Sequence, residues 1–376
     1  MSDSIKIAIV HDYLIQYGGA EKVIETLNEV FPQAPIFTSI YLKDNMPDEF
    51  KKMNIITTYM QRFPLAKKLF KSYLFFYPNA FRSLDLKEYD LILSSCSAFS
   101  KGIIKKDGAC HVCYCYTPMR FVWNYDNYVA KENFNKLILK FLPFFLKKLK
   151  KWDLNSNNNV DYFVAISEVV KSRIKKYYNR NSDVIYPPIE ISKFIDLEEK
   201  KGDYFLIVSR LNPYKNLDIV IDMFKKNPDL KLKIVGDGSN RKSLEKRAAD
   251  NKNIEFLGKL SETDLIKTYA GCRAYIFSGE EDFGISPLEA QAAGKPVIAY
   301  AAGGALETIK DGETGVFFYK STPDSLDEAV KKFLEIEHSF DIKKIKNNAT
   351  RFNKDIFKEN ISKFILGKYY EFKSKT

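Results

Sequence analysis

Two successive runs of alternating strands and helices constrain the fold of this 376-residue chain more than any other feature. The first run predicts strands at residues 5–11, 90–95, 110–116 and 160–167, and helices at residues 20–30 and 169–178. The second run predicts strands at residues 204–209, 230–235, 254–257, 274–277 and 296–300, and helices at residues 217–226, 242–250, 262–269, 287–293 and 325–336. A strand-then-helix rhythm favours a parallel sheet that is covered by helices on both faces.

The length of the chain predicts two domains, because a single hydrophobic core rarely grows beyond about 250–300 residues. The segment Val184–Pro188 ends the first run, and residues 197–202, which are charged and end in glycine, have the composition of a linker. We therefore expect α/β domains at residues 1–195 and 203–350, with a helix in residues 351–376 that packs back toward the first domain. Two doubly wound domains are expected to bind ligands in a cleft at the carboxyl ends of their strands.

Composition indicates a soluble globular protein, since 45% of the residues are apolar and 28% are charged. Residues 1–11 lack the basic start and long apolar core of a signal peptide, and no apolar run reaches the length of a membrane span. The 5 cysteines, an odd number, argue against a disulfide framework and for a reducing compartment. The sequence therefore predicts a cytoplasmic protein.

The positive charge is concentrated in the first half of the chain. Residues 1–195 carry 28 Lys and Arg against 19 Asp and Glu, and the excess is greatest in residues 134–152, which hold 6 lysines and no acid. This basic, aromatic and amphipathic segment is typical of an interfacial helix on the inner face of an anionic membrane. The same pattern is also typical of a helix that packs on the core and turns its lysines to solvent. Both interpretations remain open at this stage.

The segment from Ser278 to Ala290 carries the strongest chemical signal. Glu281 and Glu289 lie on either side of Gly284, between a predicted strand and a predicted helix. A helix that begins after a glycine turn favours a bound anion at its N-terminus, and carboxylates beside it could accept hydrogen bonds from several sugar hydroxyls. The segment therefore indicates a nucleotide-sugar pocket. Alternatively, Ser286 to Glu289 forms a capping box with Pro287 at the first helical position, which would account for Glu289 but not for Glu281.

Two further segments lie where phosphate binding is expected. The pair Gly18 and Gly19 follows the first strand, as a phosphate-binding turn does in this topology. Arg210 and Lys215 follow the strand at residues 204–209, where two fixed cations could stabilise a leaving diphosphate. More commonly, however, two glycines at such a position only form a tight βα turn, and Lys and Arg side chains in a loop are only solvated.

A metal site is not expected. In a strand Cys113 and Cys115 point to one face and Cys110 to the other, so these thiols diverge and are interpreted as buried structural residues. The sequence contains no Asp-x-Asp pair. Phosphate chemistry is therefore expected to rely on cations and helix N-termini rather than on a metal held by that motif.

An ordered series of motifs resembles the retaining glycosyltransferases of family 4, which have the two-domain GT-B architecture with two Rossmann-like domains and a C-terminal helix crossing back. Bacterial mannosyltransferases of lipopolysaccharide and O-antigen assembly resemble the chain most. The matching elements are His11-Asp-Tyr, Gly18-Gly-Ala-Glu-Lys22, Tyr116-Thr-Pro-Met-Arg-Phe-Val-Trp123, Val184-Ile-Tyr-Pro-Pro188, Ser209-Arg-Leu-Asn-Pro-Tyr-Lys215 and Gly279 to Gly304, with Leu306-Glu-Thr and Thr314-Gly315 beyond it.

The resemblance implies a role for each candidate residue. Gly18 and Gly19 would approach the donor diphosphate, which Arg210 and Lys215 would bind directly. Glu281 would hold the hydroxyls of the donor sugar. The remaining substrate-binding positions would be Glu289 at the ribose, the backbone of Phe283, Gly284 and Ile285 near the sugar, Lys259 near the nucleobase, and His11, Tyr116 and Arg120 in the first domain. The implied reaction moves a hexose, with GDP-mannose as the expected donor, to a glycan or lipid-linked acceptor, and requires no cofactor or metal.

One residue departs from the pattern of the family. Many relatives carry a histidine where this chain has Tyr116, near the reacting sugar carbon, and tyrosine carries protons poorly near neutral pH. Either that role is not essential in this chain or His11 takes it.

Two other functions compete with the transferase. A sugar-nucleotide epimerase shares the two-domain architecture, but the sequence offers no set of acid and base groups for it. A non-catalytic protein that binds membrane or nucleic acid would explain the basic first half, although no nucleic-acid recognition motif is present and no nucleic acid partner is expected.

Overall fold

The computed structural model describes residues 5–70, 72–123, 136–195, 197 and 202–375, and these residues form two compact units. The first unit contains the chain up to Pro188 together with the residues from Asp355 onward. The second unit is Ile189–Lys354.

Each unit is built on a parallel sheet. The strands are β1 (Ile7–His11), β2 (Ile36–Thr38), β3 (Ile55–Thr57), β4 (Leu91–Cys96), β5 (Cys110–Cys115), β6 (Tyr162–Ala165), β7 (Ser182–Val184), β8 (Tyr204–Val208), β9 (Lys231–Val235), β10 (Ile254–Gly258), β11 (Ala274–Phe277), β12 (Val297–Tyr300) and β13 (Gly315–Phe318). Their order is β3-β2-β1-β4-β5-β6-β7 in the first unit and β10-β9-β8-β11-β12-β13 in the second. Both orders reverse beside the first strand, which is the doubly wound arrangement that the sequence predicts.

Helices follow most of the strands. They are α1 (Gly19–Val30), α2 (Ala66–Leu69), α3 (Tyr77–Arg82), α4 (Arg120–Trp123), α5 (Lys136–Ser156), α6 (Glu168–Tyr178), α7 (Ser192–Ile195), α8 (Leu217–Lys226), α9 (Arg241–Ala248), α10 (Glu262–Ala270), α11 (Ile285–Ala292), α12 (Ala305–Thr308), α13 (Pro323–Ile336), α14 (Ile342–Thr350) and α15 (Lys354–Lys373). Within the described residues, no helix is long and apolar enough to cross a membrane.

The core of each unit explains why these segments become strands and helices. Every residue of β4 and β5 is buried, as expected for strands that are covered on both faces.

The five cysteines are free and buried, which agrees with a structural role. Among the described residues, no group of His, Cys, Asp and Glu side chains is arranged to hold a metal ion.

The boundary between the units differs from the sequence-based one. Residues 189–195 belong to the second unit, not to the first. The backbone of Ile189 pairs with Asn353 at the other end of this unit, and the Lys193 ammonium lies 2.5 Å from a carboxylate oxygen of Glu262. The residues that follow Pro188 therefore pair with residues that lie much later in the chain.

The C-terminal helix α15 packs within the first unit. The ring of Phe357 meets that of Tyr114 edge-on at a centroid distance of 5.8 Å, and the ammonium of Lys358 lies 2.5 Å from a carboxylate oxygen of Glu29 in α1. The last helix of the chain thereby covers part of the core that the first 188 residues form.

The capping-box interpretation of the segment at residues 286–289 is wrong. Helix α11 begins at Ile285, two residues before Pro287, and Gly284 at the N-cap position provides no side-chain hydrogen bond. Glu289 is therefore the fifth residue of the helix and cannot close a capping box from there. By contrast, Ser261 caps α10, since its hydroxyl accepts from the backbone N–H of Asp264 at 3.2 Å.

Candidate active site

The candidate site of the second unit lies where the strand order reverses. Strands β8 and β11 are neighbours, and β9 and β12 flank them on opposite sides. Ligands of doubly wound sheets bind in the crevice beyond the carboxyl ends of such strands. The loop after β8 contains Arg210 and Lys215, and the loop after β11 contains Ser278 to Gly284.

Lys215 and Glu281 form an ion pair across this crevice. The ammonium of Lys215 donates to Oε1 of Glu281, and the Lys215 residue is only 8% exposed. The hydroxyl of Ser278 also donates to the carbonyl oxygen of Lys215, at 2.9 Å. A Cβ on Gly279 would lie 3.2 Å from Cα of Lys215, so the two loops touch through their backbones. The loops of Lys215 and Glu281 are therefore held together, and the charges of the two side chains neutralise each other.

Arg210 lies on the same loop and is exposed. A terminal nitrogen of its guanidinium is 3.5 Å from the hydroxyl oxygen of Tyr214, and the Lys215 ammonium lies 5.2 Å from the centroid of the Tyr214 ring. Tyr214 thus stands between the two cations. Two positive charges at the carboxyl end of β8 are suited to a diphosphate.

Glycines let the neighbouring loop approach Glu281 closely. The N–H of Gly304 donates to the carbonyl oxygen of Glu281 at 2.8 Å. A Cβ on Gly303, whose φ is +62°, would lie 2.2 Å from that oxygen, and a Cβ on Gly304 would lie 2.3 Å from Cα of Phe283. Since real Cβ atoms do not come so close to backbone atoms, these two positions require glycine.

The N-terminus of α11 opens at the same crevice. Gly284 has a φ of +91°, and a Cβ there would lie 2.8 Å from the ring of Phe277. The N-cap residue Gly284 makes no side-chain hydrogen bond to the helix. The first backbone N–H groups of α11, from Ile285 onward, and the positive end of the helix dipole therefore lie beside Phe283 and Gly284. This end of the helix is suited to oxygen atoms of a ligand.

Glu289 lies deeper, on the buried side of α11. It is 8% exposed, and its Oε2 accepts a hydrogen bond of 2.9 Å from the hydroxyl of Tyr269. Burial, reinforced by the charge of Glu289, raises the pKa of Tyr269 well above its usual value. Tyr269 therefore keeps its proton and donates to the carboxylate. Tyr269 could not be identified from the sequence, because it lies 20 positions before its partner.

Lys259 lies on the same edge of the sheet but away from the ion pair. It is exposed and follows β10, where Gly258 turns with a φ of +68°. Strand β10 is separated from β8 by β9, which corresponds to about 10 Å between the strands. This spacing agrees with a group that contacts a different part of an elongated ligand.

The first unit has its own cluster at the reversal between β1 and β4. Nδ1 of His11 lies 3.1 Å from the hydroxyl oxygen of Ser95, which lies 2.8 Å from that of Tyr116. The Tyr116 hydroxyl donates to the carbonyl oxygen of Ala20 at 3.1 Å. Ser95 must then donate to Tyr116, and Nδ1 of His11 must donate to Ser95. The two residues that the sequence left as alternatives, His11 and Tyr116, are therefore joined in one hydrogen-bonded chain.

The remaining candidates of the first unit are Gly18, Gly19 and Arg120. Helix α1 begins at Gly19, and Gly18 at its N-cap position makes no side-chain cap. Glu21, in the first turn, places Oε1 at 3.9 Å from Nε2 of His11. Arg120 begins α4 and is half-buried.

Asp12 is a structural residue that sequence reasoning missed. It is 2% exposed, and its carboxylate accepts five hydrogen bonds. The donors are the backbone N–H groups of Ser97, Ala98, Phe99 and Ser100 and the hydroxyl of Ser97, at 2.7–2.9 Å. Asp12 thereby fixes the loop after β4, beside Ser95. Its position directly after β1 and next to His11 was the signal that could have revealed it.

Comparison with known families assigns both units. The model of Glycosyltransferase Family 4 matches residues 17–193, and the model of Glycosyl transferases group 1 matches residues 188–352. An uncharacterised glycosyltransferase of Methanocaldococcus jannaschii is 30% identical over 222 residues, covering 57% of this chain and 61% of the relative. A GDP-mannose-dependent monoacylated alpha-(1-6)-phosphatidylinositol monomannoside mannosyltransferase of Corynebacterium glutamicum is 36% identical over 140 residues, covering 34% of this chain and 36% of the relative. The chain thus spans between about a third and three-fifths of these two relatives.

Solved structures agree on the fold. Anabaena HepE in complex with UDP matches with a TM-score of 0.70 and 18% identity, over 96% of this chain and 100% of that one. Sucrose-phosphate synthase of Thermosynechococcus elongatus matches with a TM-score of 0.74 and 16% identity, over 98% of this chain and 100% of that one. Two parallel sheets with the reversed strand order, two consecutive family domains and these structural neighbours lead to one conclusion: the chain belongs to the glycosyltransferases of the GT-B fold.

Proposed function

We propose that this protein is a retaining hexosyltransferase that uses a nucleoside diphosphate sugar and needs no metal or other cofactor. The ion pair of Lys215 and Glu281 at the reversal of the second sheet carries the proposal. In the reaction, Lys215 and Arg210 stabilise the negative charge that grows on the leaving diphosphate. Glu281 accepts hydrogen bonds from the sugar hydroxyls, and Glu289 accepts from the ribose. The donor phosphate takes the proton of the acceptor hydroxyl on the same face of the sugar.

We further propose GDP-mannose as the donor and a glycan or lipid-linked acceptor of a cell-surface polysaccharide. The name of the Corynebacterium relative, which is GDP-mannose-dependent and acts on a phosphatidylinositol mannoside, supports both parts. A mouse alpha-1,3/1,6-mannosyltransferase, 28% identical over 233 residues, supports the mannosyl group. No observation favours the epimerase or the non-catalytic binding protein.

The choice of donor is tested by a ligand panel. We expect GDP-mannose to raise the melting temperature more than UDP-, dTDP- or ADP-sugars, because a ligand at 100 times its dissociation constant adds about 2.7 kcal/mol to the free energy of unfolding. Radiolabelled GDP-mannose should then transfer its sugar to a lipid-linked acceptor. Stabilisation by a UDP-sugar alone would contradict GDP-mannose as the donor but would leave the proposal of a transferase unchanged. Interconversion of the nucleotide sugar without transfer would contradict the enzyme class.

The second half of α5 supports a membrane role for the basic segment. Leu146 and Leu149 are buried in the core of the first unit, whereas Phe144 is 60% exposed. The exposed lysines of this part of the helix are Lys147, Lys148, Lys150 and Lys151. The ring of Phe145 contacts that of Phe75, itself 46% exposed, at a centroid distance of 4.3 Å. The core-packing helix and the basic outer face are thus one and the same helix. Residues 134 and 135 of the predicted segment lie outside the described residues. We propose that the outer face of this helix binds anionic lipid.

Replacing lysines of this face should weaken vesicle binding. Lys150 is left unchanged because its ammonium lies 4.4 Å from the centroid of the Trp123 ring. Each basic residue near an anionic surface contributes about 1 kcal/mol, so changing Lys147, Lys148 and Lys151 to Gln should lower affinity on the order of 10²-fold. Co-sedimentation with phosphatidylserine vesicles measures this change. The same substitutions at Lys242, Lys246 and Lys343, which are exposed on the second unit, serve as the charge-matched control. Equal binding by both triple variants would favour a helix that only packs on the core.

A further inference from the structure

We infer that Tyr269 is a positioning residue for the donor and that it acts through Glu289. This inference rests on the proposed function, in which Glu289 accepts hydrogen bonds from the ribose. Its basis is the 2.9 Å hydrogen bond from the Tyr269 hydroxyl to Oε2 of Glu289, between a tyrosine that is 0% exposed and a glutamate that is 8% exposed. A carboxylate in the middle of a short helix has several rotamers, and this hydrogen bond selects one of them.

The hydrogen bond has a fixed direction. Burial holds the pKa of Tyr269 well above its usual value, so the phenol is protonated at neutral pH and donates. A hydrogen bond from a neutral donor to a carboxylate is stronger than one between neutral groups. Tyr269 therefore orients the glutamate without exchanging a proton with it, which separates its role from acid–base catalysis.

The ring of Tyr269 is itself held in place. Phe194 meets it edge-on at a centroid distance of 5.6 Å, and Tyr275 stacks on it at 6.0 Å with an angle of 28° between the rings. The hydroxyl of Tyr275 donates to the carbonyl oxygen of Val208, at the end of β8, at 2.9 Å. The rings of Phe194 and Tyr275 thus hold Tyr269 by packing, whereas the Tyr275 hydroxyl bonds to the end of β8.

Tyr269→Phe tests the inference, since it removes only the hydroxyl. Loss of a hydrogen bond to a charged group weakens affinity by about tenfold. The donor KM should rise by that factor while kcat stays near wild type. Affinity for the nucleoside diphosphate alone should fall equally, because that ligand keeps the ribose and lacks the sugar. The probe is the nucleoside diphosphate that stabilises the wild-type protein most, and titration calorimetry measures its binding.

Two comparisons separate the possible outcomes. Tyr275→Phe, the matched control, also removes a buried hydroxyl but leaves Glu289 unchanged, so it should lower the melting temperature without changing nucleotide affinity. In a Glu289→Gln background, Tyr269→Phe should weaken nucleotide binding by much less than in the wild type, because both act at one contact. If Glu289→Gln has no effect on nucleotide affinity, the ribose role of Glu289 fails. If Glu289→Gln weakens binding but Tyr269→Phe does not, or if Tyr275→Phe weakens it equally, the inference about Tyr269 is overturned.

Discussion

Glu281→Gln is expected to lower turnover by 10²-fold or more while the second unit stays folded. The substitution keeps the shape of the side chain and an oxygen that can still accept from Lys215, but it removes the charge that we propose to face the donor sugar. Loss of one preorganised group that stabilises the transition state has an effect of this size. Steady-state kinetics with the donor identified by the panel measure kcat and KM.

A loss of stability must be separated from this loss of turnover. Lys215 is 8% exposed and loses its charged partner, so we expect the free energy of unfolding to fall by about 1 kcal/mol, or roughly 2–4 °C in melting temperature. Glu280→Gln is the matched control, because it makes the same chemical change one position earlier, on an exposed side chain. Full activity of the Glu281 variant, or an equal loss in the Glu280 variant, would contradict the assignment of this site.

The second large effect concerns the cations. Lys215→Ala and Arg210→Ala should each lower turnover on the order of 10²–10³-fold, because each removes a charge that we propose to stabilise the leaving diphosphate. The two variants should differ in stability. Lys215→Ala leaves Glu281 without its partner, so its melting temperature should fall, whereas the exposed Arg210 should be replaced without such a change.

Kinetics and thermal unfolding on the same preparations distinguish these effects. Lys226→Ala removes another cation of the second unit, whose ion pair with Asp324 is at the surface, and should change neither quantity much. Near-normal turnover in both the Arg210 and the Lys215 variants would show that the diphosphate does not bind in this crevice.

The sequence was most informative where the chain determines structure locally. Continuous apolar runs such as β8 and β11 were predicted within a residue of their observed ends. The strands β2, β3, β7 and β13 were not predicted. The first three have only three residues each, too few to show a pattern, and β13 begins with glycine, which is typical of a turn. Pro287 misled the prediction of the α11 start, because proline is tolerated anywhere in the first turn of a helix.

The candidate site followed the same rule. Arg210, Lys215 and Glu281 could be found because each lies just after an obvious strand. Their pairing could not, since Lys215 and Glu281 are 66 positions apart. Ser95 was missed because its partner His11 is 84 positions away, and nothing near either residue points to the other.

If the proposed site binds the donor, the contact between the loop of Glu281 and the loop of Gly303 and Gly304 limits how donor choice can change in this chain. A Cβ at either glycine would come within 2.2–2.3 Å of backbone atoms, so neither loop has room to move toward the other. Adaptation to a different sugar by narrowing or reshaping this wall would first have to break the backbone hydrogen bond between Gly304 and Glu281. We therefore expect donor choice to change through the side chains that project from these loops, because the backbone of the two loops has no room to move closer.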